Sequence, residues 1–135
     1  MHPPVIQFPA GVPGFEDAHD FVLVEWGDAG SPFTVLRSVD VEGLEFLVAA
    51  PVVLFPDYAP ELDDGWAETL ALTRAEDALV LVIITIPDRA EDATANLLAP
   101  IVVNVLTNQA AQVVLPDAPV DDLRRRVFSV PAMSR

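Results

Sequence analysis

Apolar and polar positions alternate along most of this chain in short runs of period two, and proline, glycine and aspartate cut the runs apart. Asp20 to Trp26 shows the pattern most plainly, with Phe21, Leu23 and Glu25 on one face and Val22, Val24 and Trp26 on the other. Val5 to Phe8, Phe33 to Ser38 and Leu44 to Ala50 also read as strands. Leu79 to Ile86, written L-V-L-V-I-I-T-I, is apolar on both faces and rich in β-branched residues, which predicts a central strand buried on both sides. Ile101 to Leu106 and Gln112 to Leu115 follow. The connectors Pro9 to Gly14, Gly27 to Pro32 and Pro87 to Asp92 are short turns. Thirteen prolines leave little room for long helices. One helix is predicted from Gly65 to Leu72, capped by Asp63 or Asp64, with Trp66 and Leu70 on its apolar stripe. Pro119 to Val127 reads equally as a helix or as a closing strand. The fold class expected is mostly β: a small antiparallel β-barrel-like single domain, residues 1–135, with one or two short helices.

The stretch Ala93 to Asn104, A-T-A-N-L-L-A-P-I-V-V-N, departs from the plain pattern. Read as one strand, its odd positions from Ala95 to Val105 are all apolar and predict a buried face. The even face is mixed and carries Asn96, Pro100 and Asn104. Pro100 has no N–H for a ladder, so it predicts an edge, a bulge or a corner, with each asparagine serving backbone groups freed at the bend.

Composition narrows the function more than the fold. The 135 residues fit one domain, and 52% hydrophobic content supplies a core without a staple. With no cysteine there is no disulfide framework and no thiol nucleophile. The N-terminus lacks a basic region followed by an apolar one, and no apolar run reaches bilayer length, so the cytoplasm is the compartment expected and no membrane contact is. Twenty-one acidic residues face seven basic ones, all arginine, for a net charge of -14. That field repels phosphate backbones and steers basic partners in, so direct nucleic-acid binding is not expected.

Catalytic parts are scarce. Only His2 and His19 offer imidazoles, and no nucleophile elbow, phosphate loop or calcium loop is present. His19 in E-D-A-H-D matches no metal spacing and reads as a solvated turn. Paired carboxylates fall at turns and element ends rather than across a cleft. No catalytic residue, cofactor or metal is therefore assigned. Two loops look built for a purpose. Pro13-Gly14, inside F-P-A-G-V-P-G-F-E, suits a type II turn flanked by Phe8 and Phe15. In L-F-P-D-Y, Phe55 anchors while Asp57 and Tyr58 project, a pairing common at interfaces.

These pieces in this order resemble the flagellar assembly factor FliW family. The matching segments are F-P-A-G-V-P-G-F-E at 8–16, P-F-T-V-L-R-S-V-D at 32–40, F-P-D-Y at 55–58, T-A-N-L-L-A-P-I-V-V-N at 94–104 and Q-V-V-L at 112–115. The resemblance implies a compact β-barrel-like domain without catalytic activity, cytoplasmic and monomeric. It also implies two partners, flagellin and the RNA-binding translational regulator CsrA, exchanged by partner switching that controls flagellin synthesis. Contacts are expected at Asp57 and Tyr58, at the loop residues Asp88, Glu91 and Asp92, and at Asn96 and Asn104. The sequence departs from the family pattern at Val41-Glu42, at Leu98 and over the connector Thr107 to Ala110. The competing readings are a small β-barrel ligand-binding module with an acidic surface and an enzyme built on His19.

Overall fold

The structure, a computed structural model, describes residues 4–27, 31–60, 62–115 and 118–127. His2 lies outside them. Nine strands form one sheet: β1 (Ile6–Gln7), β2 (Asp20–Glu25), β3 (Phe33–Ser38), β4 (Glu45–Ala49), β5 (Ala78–Thr85), β6 (Thr94–Ala95), β7 (Ile101–Asn104), β8 (Gln109–Gln112) and β9 (Arg125–Arg126). Two short helices, α1 (Pro51–Leu54) and α2 (Asp64–Thr69), accompany them. Neighbours run β4-β3-β2-β1-β8-β7-β5, and β5 then pairs back onto β4, which closes a seven-strand ring. The mostly β single domain with short helices expected from the sequence is thus present, its strands closed into a ring. Every pairing is antiparallel except β1 with β8, where Gln7 meets Gln109.

The alternation in the sequence sorts the two faces of the ring. Register places Leu23 opposite Leu36, Leu36 opposite Phe46, and Leu81 opposite Ile101, all pointing inward. With Phe8, Phe21, Val48 and Val103 they fill the interior, so the ring is packed rather than hollow. Phe8 and Phe21 are fully buried and meet edge to face at 5.1 Å. Each contributes roughly 1.5–3 kcal/mol by burial alone. The Pro13-Gly14 turn forms as expected: Phe15 donates to the Val12 carbonyl at 2.7 Å, and Gly14 has φ +86°. At Gly11, φ +73°, a Cβ would sit 2.6 Å from the Glu16 carbonyl oxygen, so only glycine fits.

Two expectations need correction. Ala93 to Asn104 is two strands, not one. The chain leaves β6 after Ala95, turns through 96–100 and restarts as β7 at Ile101. Pro100 is fully buried and breaks the strand, because it has no N–H to continue a ladder. The even face of β7 is not half-open either, since helix α2 and its flanks cover Val102 and bury Asn104. Second, the strand placed at Gln112 to Leu115 runs instead over Gln109–Gln112, so Gln109 and Ala110 belong to it and not to a connector. Pro51–Leu54 supplies the second of the one or two short helices expected, with proline in the first turn where its missing N–H costs nothing. The 119–127 segment takes both of its readings, a 3-10 turn over Val120–Arg124 and then strand β9.

A candidate docking face around β6 and β9

Strands β6 and β9 stand outside the ring. β6 pairs with the end of β5, and β9 pairs with β6 through Thr94 opposite Arg126 and Ala95 opposite Arg125. They lie over the outer face of β4 and β5. There Ala49, Val82, Ile84, Ala95, Leu97 and Val127 make a second apolar cluster, flanked by Leu54, Phe55 and Tyr58. This small core positions the surface above it.

Tyr58 is held by both ends. Its N–H donates to the Phe55 carbonyl at 2.9 Å, and its hydroxyl donates to the Leu97 carbonyl at 2.6 Å. Burial pushes the phenol up to about 12, and the Asp122 carboxylate adds to the shift, so it stays a neutral donor at physiological pH. Tyr58 therefore does not project: its ring is half-buried and its hydroxyl is committed, while neighbouring Asp57 is exposed.

Asn96 governs the turn between β6 and β7. Its Oδ1 accepts from the N–H groups of Leu98 and Ala99, both at 3.1 Å, and its own N–H donates to the Ile83 carbonyl. Leu97 donates to the Asp122 carbonyl at 2.7 Å, which ties the turn to the C-terminal segment. Asp122 is buried and paired with Arg125 at 2.5 Å. A cleft of about 400 Å³ opens between the Tyr58 loop and this pair.

The 87–92 loop borders the same face. Asp92 lies 3.6 Å from the Arg126 guanidinium, and Arg89 pairs with Glu91 at 2.5 Å. Hydrogen bonding to its own backbone N–H, with the Arg89 guanidinium second, holds the Glu91 carboxyl below the usual range. Asp88 is exposed. A second cleft of about 530 Å³ runs past Asp92, Thr94, Asn96, Leu123 and Arg124. Asp57, Tyr58, Asp88, Glu91, Asp92 and Asn96 thus gather on the segments around β6 and β9.

Asn104 stands apart. It is 2% exposed, its Nδ2 donates to the carbonyls of Leu70 at 2.8 Å and Ala71 at 3.3 Å, and its Oδ1 accepts from Leu106 N–H at 2.9 Å. Its side chain is spent inside the fold.

Sequence reasoning missed Asp122, Arg125 and Arg126 as members of the face. The available signal was the run of three arginines in a chain with seven basic residues. Elsewhere, His19 anchors a turn: its ring Nδ1 lies 3.0 Å from the Phe8 carbonyl, and its N–H donates to Asp40. That backbone bond leads the contacts that keep the Asp40 carboxyl below its ordinary range. Among the described residues, no group of three or more histidines and carboxylates is placed to hold a metal ion. No helix among them is long and apolar enough to cross a membrane.

Comparison with known proteins gives one family. The family model described as FliW protein matches residues 2–124. The chain is 46% identical to the flagellar assembly factor FliW of Bacillus licheniformis over 113 residues, covering 84% of this chain and 78% of that one. It is 39% identical to the FliW of Caldanaerobacter subterraneus subsp. tengcongensis, covering 82% and 74%, and 41% identical to that of Bacillus subtilis, covering 84% and 79%. A crystal structure of the flagellar assembly factor FliW superposes with a TM-score of 0.86 at 36% identity, over 94% of this chain and 87% of that one.

Proposed function

The chain belongs to the FliW family, and from that premise we propose that it is a cytoplasmic flagellar assembly factor acting by protein–protein contact rather than by catalysis. In this reading it binds flagellin and, when flagellin is exported, captures the regulator CsrA and lifts repression of flagellin synthesis. The observation that carries the reading is the family match across most of the chain and in three dimensions. A net charge of -14 supports it independently, because such a field speeds encounter with a basic partner and disfavours RNA retention beside it.

The contact surface in this proposal is the face around β6 and β9. Asp57, Asp88, Glu91 and Asp92 present carboxylates there, with the Tyr58 ring and Asn96 holding the surface between them. Asn104 has no place on this surface, since its side chain fastens the end of α2 to β7. A binding competition among the three purified proteins tests the proposal. Flagellin and CsrA should each form a complex with this chain, and added flagellin should displace CsrA. Failure of both to bind sinks the reading.

A further inference from the structure

The outside of the ring has three sectors, and among the described residues only two are covered. Helix α2 and its flanks cover β7 and β8 through Trp66, Leu70 and Leu72 packed on Val102 and Val113. The β6–β9 annex with Phe55 and Tyr58 covers β4 and β5. The outward face of β2 and β3 carries Val22, Val24, Trp26, Phe33 and Val35, set beside Leu47 by register. Neither covering cluster includes Val22, Val24, Trp26 or Ile86. Trp26 is 44% exposed and Ile86 41%. Between them lies a cleft of about 260 Å³ on Val35, Leu47 and Ile84, large enough for one aliphatic or aromatic side chain. Trp26 is steadied by edge-to-face contact with Phe33 at 5.8 Å. It is thus a rigid apolar wall held ready at the surface, the kind of group that anchors interfaces.

We propose that this face, with Trp26 and Ile86 as walls, docks an amphipathic helix with a basic polar side, supplied by a protein partner. The shape follows from the molecule itself: the same outer surface, two strands further round, already takes a short amphipathic helix in α2. The sign follows from charge. Asp20 stands on this face at the start of β2, and the Arg37 guanidinium, the one basic side chain of β2 and β3, is matched by Glu45 at 2.8 Å. The border is therefore net acidic, inside a field of -14 that repels a second copy of this chain. The inference rests on geometry and charge and stands apart from the identity of flagellin or CsrA as partners.

Trp26 and Trp66 are the chain's only tryptophans, so Trp66→Phe leaves Trp26 as the sole indole reporter. Two synthetic amphipathic helical peptides serve as probes, one with leucine and lysine faces, the other with leucine and glutamate faces. The Leu/Lys peptide should shift Trp26 emission to the blue, saturating at one peptide per chain, and Ile86→Ser should weaken it about tenfold or more by removing a wall of the cleft. Ile86 lies beyond the end of β5 and is exposed, and circular dichroism of the variant checks that its fold is kept. The proposal is overturned by an absent shift, by equal binding of the Leu/Glu peptide, or by unchanged affinity in Ile86→Ser. A free protein that sediments as a dimer and dissociates on Ile86→Ser also overturns it, because a second copy would then own the face.

Discussion

Asn96 and Asn104 lie eight positions apart and look alike in sequence, yet they do different work. Asn96 is half-buried, and its side chain bonds to near neighbours, the N–H groups two and three residues on. Asn104 is buried and reaches 34 residues back to hold the end of α2. That end is a Schellman closure, with Leu72 N–H on the Ala67 carbonyl and Ala71 N–H on the Glu68 carbonyl. The position that usually takes glycine is here Ala71 at φ +54°. An L-residue there is strained by about 1–2 kcal/mol, and the Asn104 amide on the Leu70 and Ala71 carbonyls helps hold it. One asparagine shapes a surface turn locally, and the other fastens a helix onto the ring.

The contrast can be broken in order of expected effect. Asn104→Ala leaves the buried Leu70 carbonyl, and the part-buried Ala71 carbonyl and Leu106 N–H, without this partner, and should cost about 2–4 kcal/mol in urea unfolding. Asn96→Ala removes a local cap and should cost about 1 kcal/mol in the same assay. Equal losses would mean the two asparagines are not distinguished by burial. Tyr58→Phe, which strips one donor from the Leu97 carbonyl beside Asn96, should cost about 0.5–1.5 kcal/mol. Ala71→Gly should stabilise by about 0.5–1 kcal/mol, since relief of the positive φ outweighs the added chain entropy.

Tyr58 also carries a pH signature, and it is the chain's only tyrosine. Burial and the nearby Asp122 carboxylate push its phenol up to about 12 in the folded state, from an ordinary value of 10.0. Its stabilising contribution is therefore complete below pH 10 and is lost as pH rises towards about 12. Tyrosinate absorbance read against pH should titrate near the folded value in the native protein and near the ordinary value in urea. Coincident titrations would show that the hydroxyl is not held.

What could be read from the sequence followed from what each signal depends on. Strands β2 to β4 were legible because short apolar runs of period two match a two-sided surface, and β5 because its β-branched run is apolar on both faces and is covered on both sides. The 93–104 stretch was not, because a buried two-residue strand, a turn and a second strand share one apolar composition. Only tertiary contact reveals where it folds. The helical end at Ala71 carried no glycine to announce it. The acidic half of the proposed docking face could be placed on the surface from the sequence, where Asp57, Asp88, Glu91 and Asp92 lie on loops or at a helical turn. Its other half was hidden, since Asp122, Arg125 and Arg126 join it through the β6–β9 pairing, some thirty residues distant in the chain.

The central claim is that the acidic face around β6 and β9 binds the partner while the Asn104 side supports the fold. The most direct test is calorimetric titration of purified flagellin into Asp57→Lys/Asp88→Lys, two exposed carboxylates with no ion pair among the described residues. The account predicts an affinity at least about tenfold weaker, with unfolding free energy unchanged to within about 0.5 kcal/mol. Full flagellin affinity in this charge-reversed variant would contradict it.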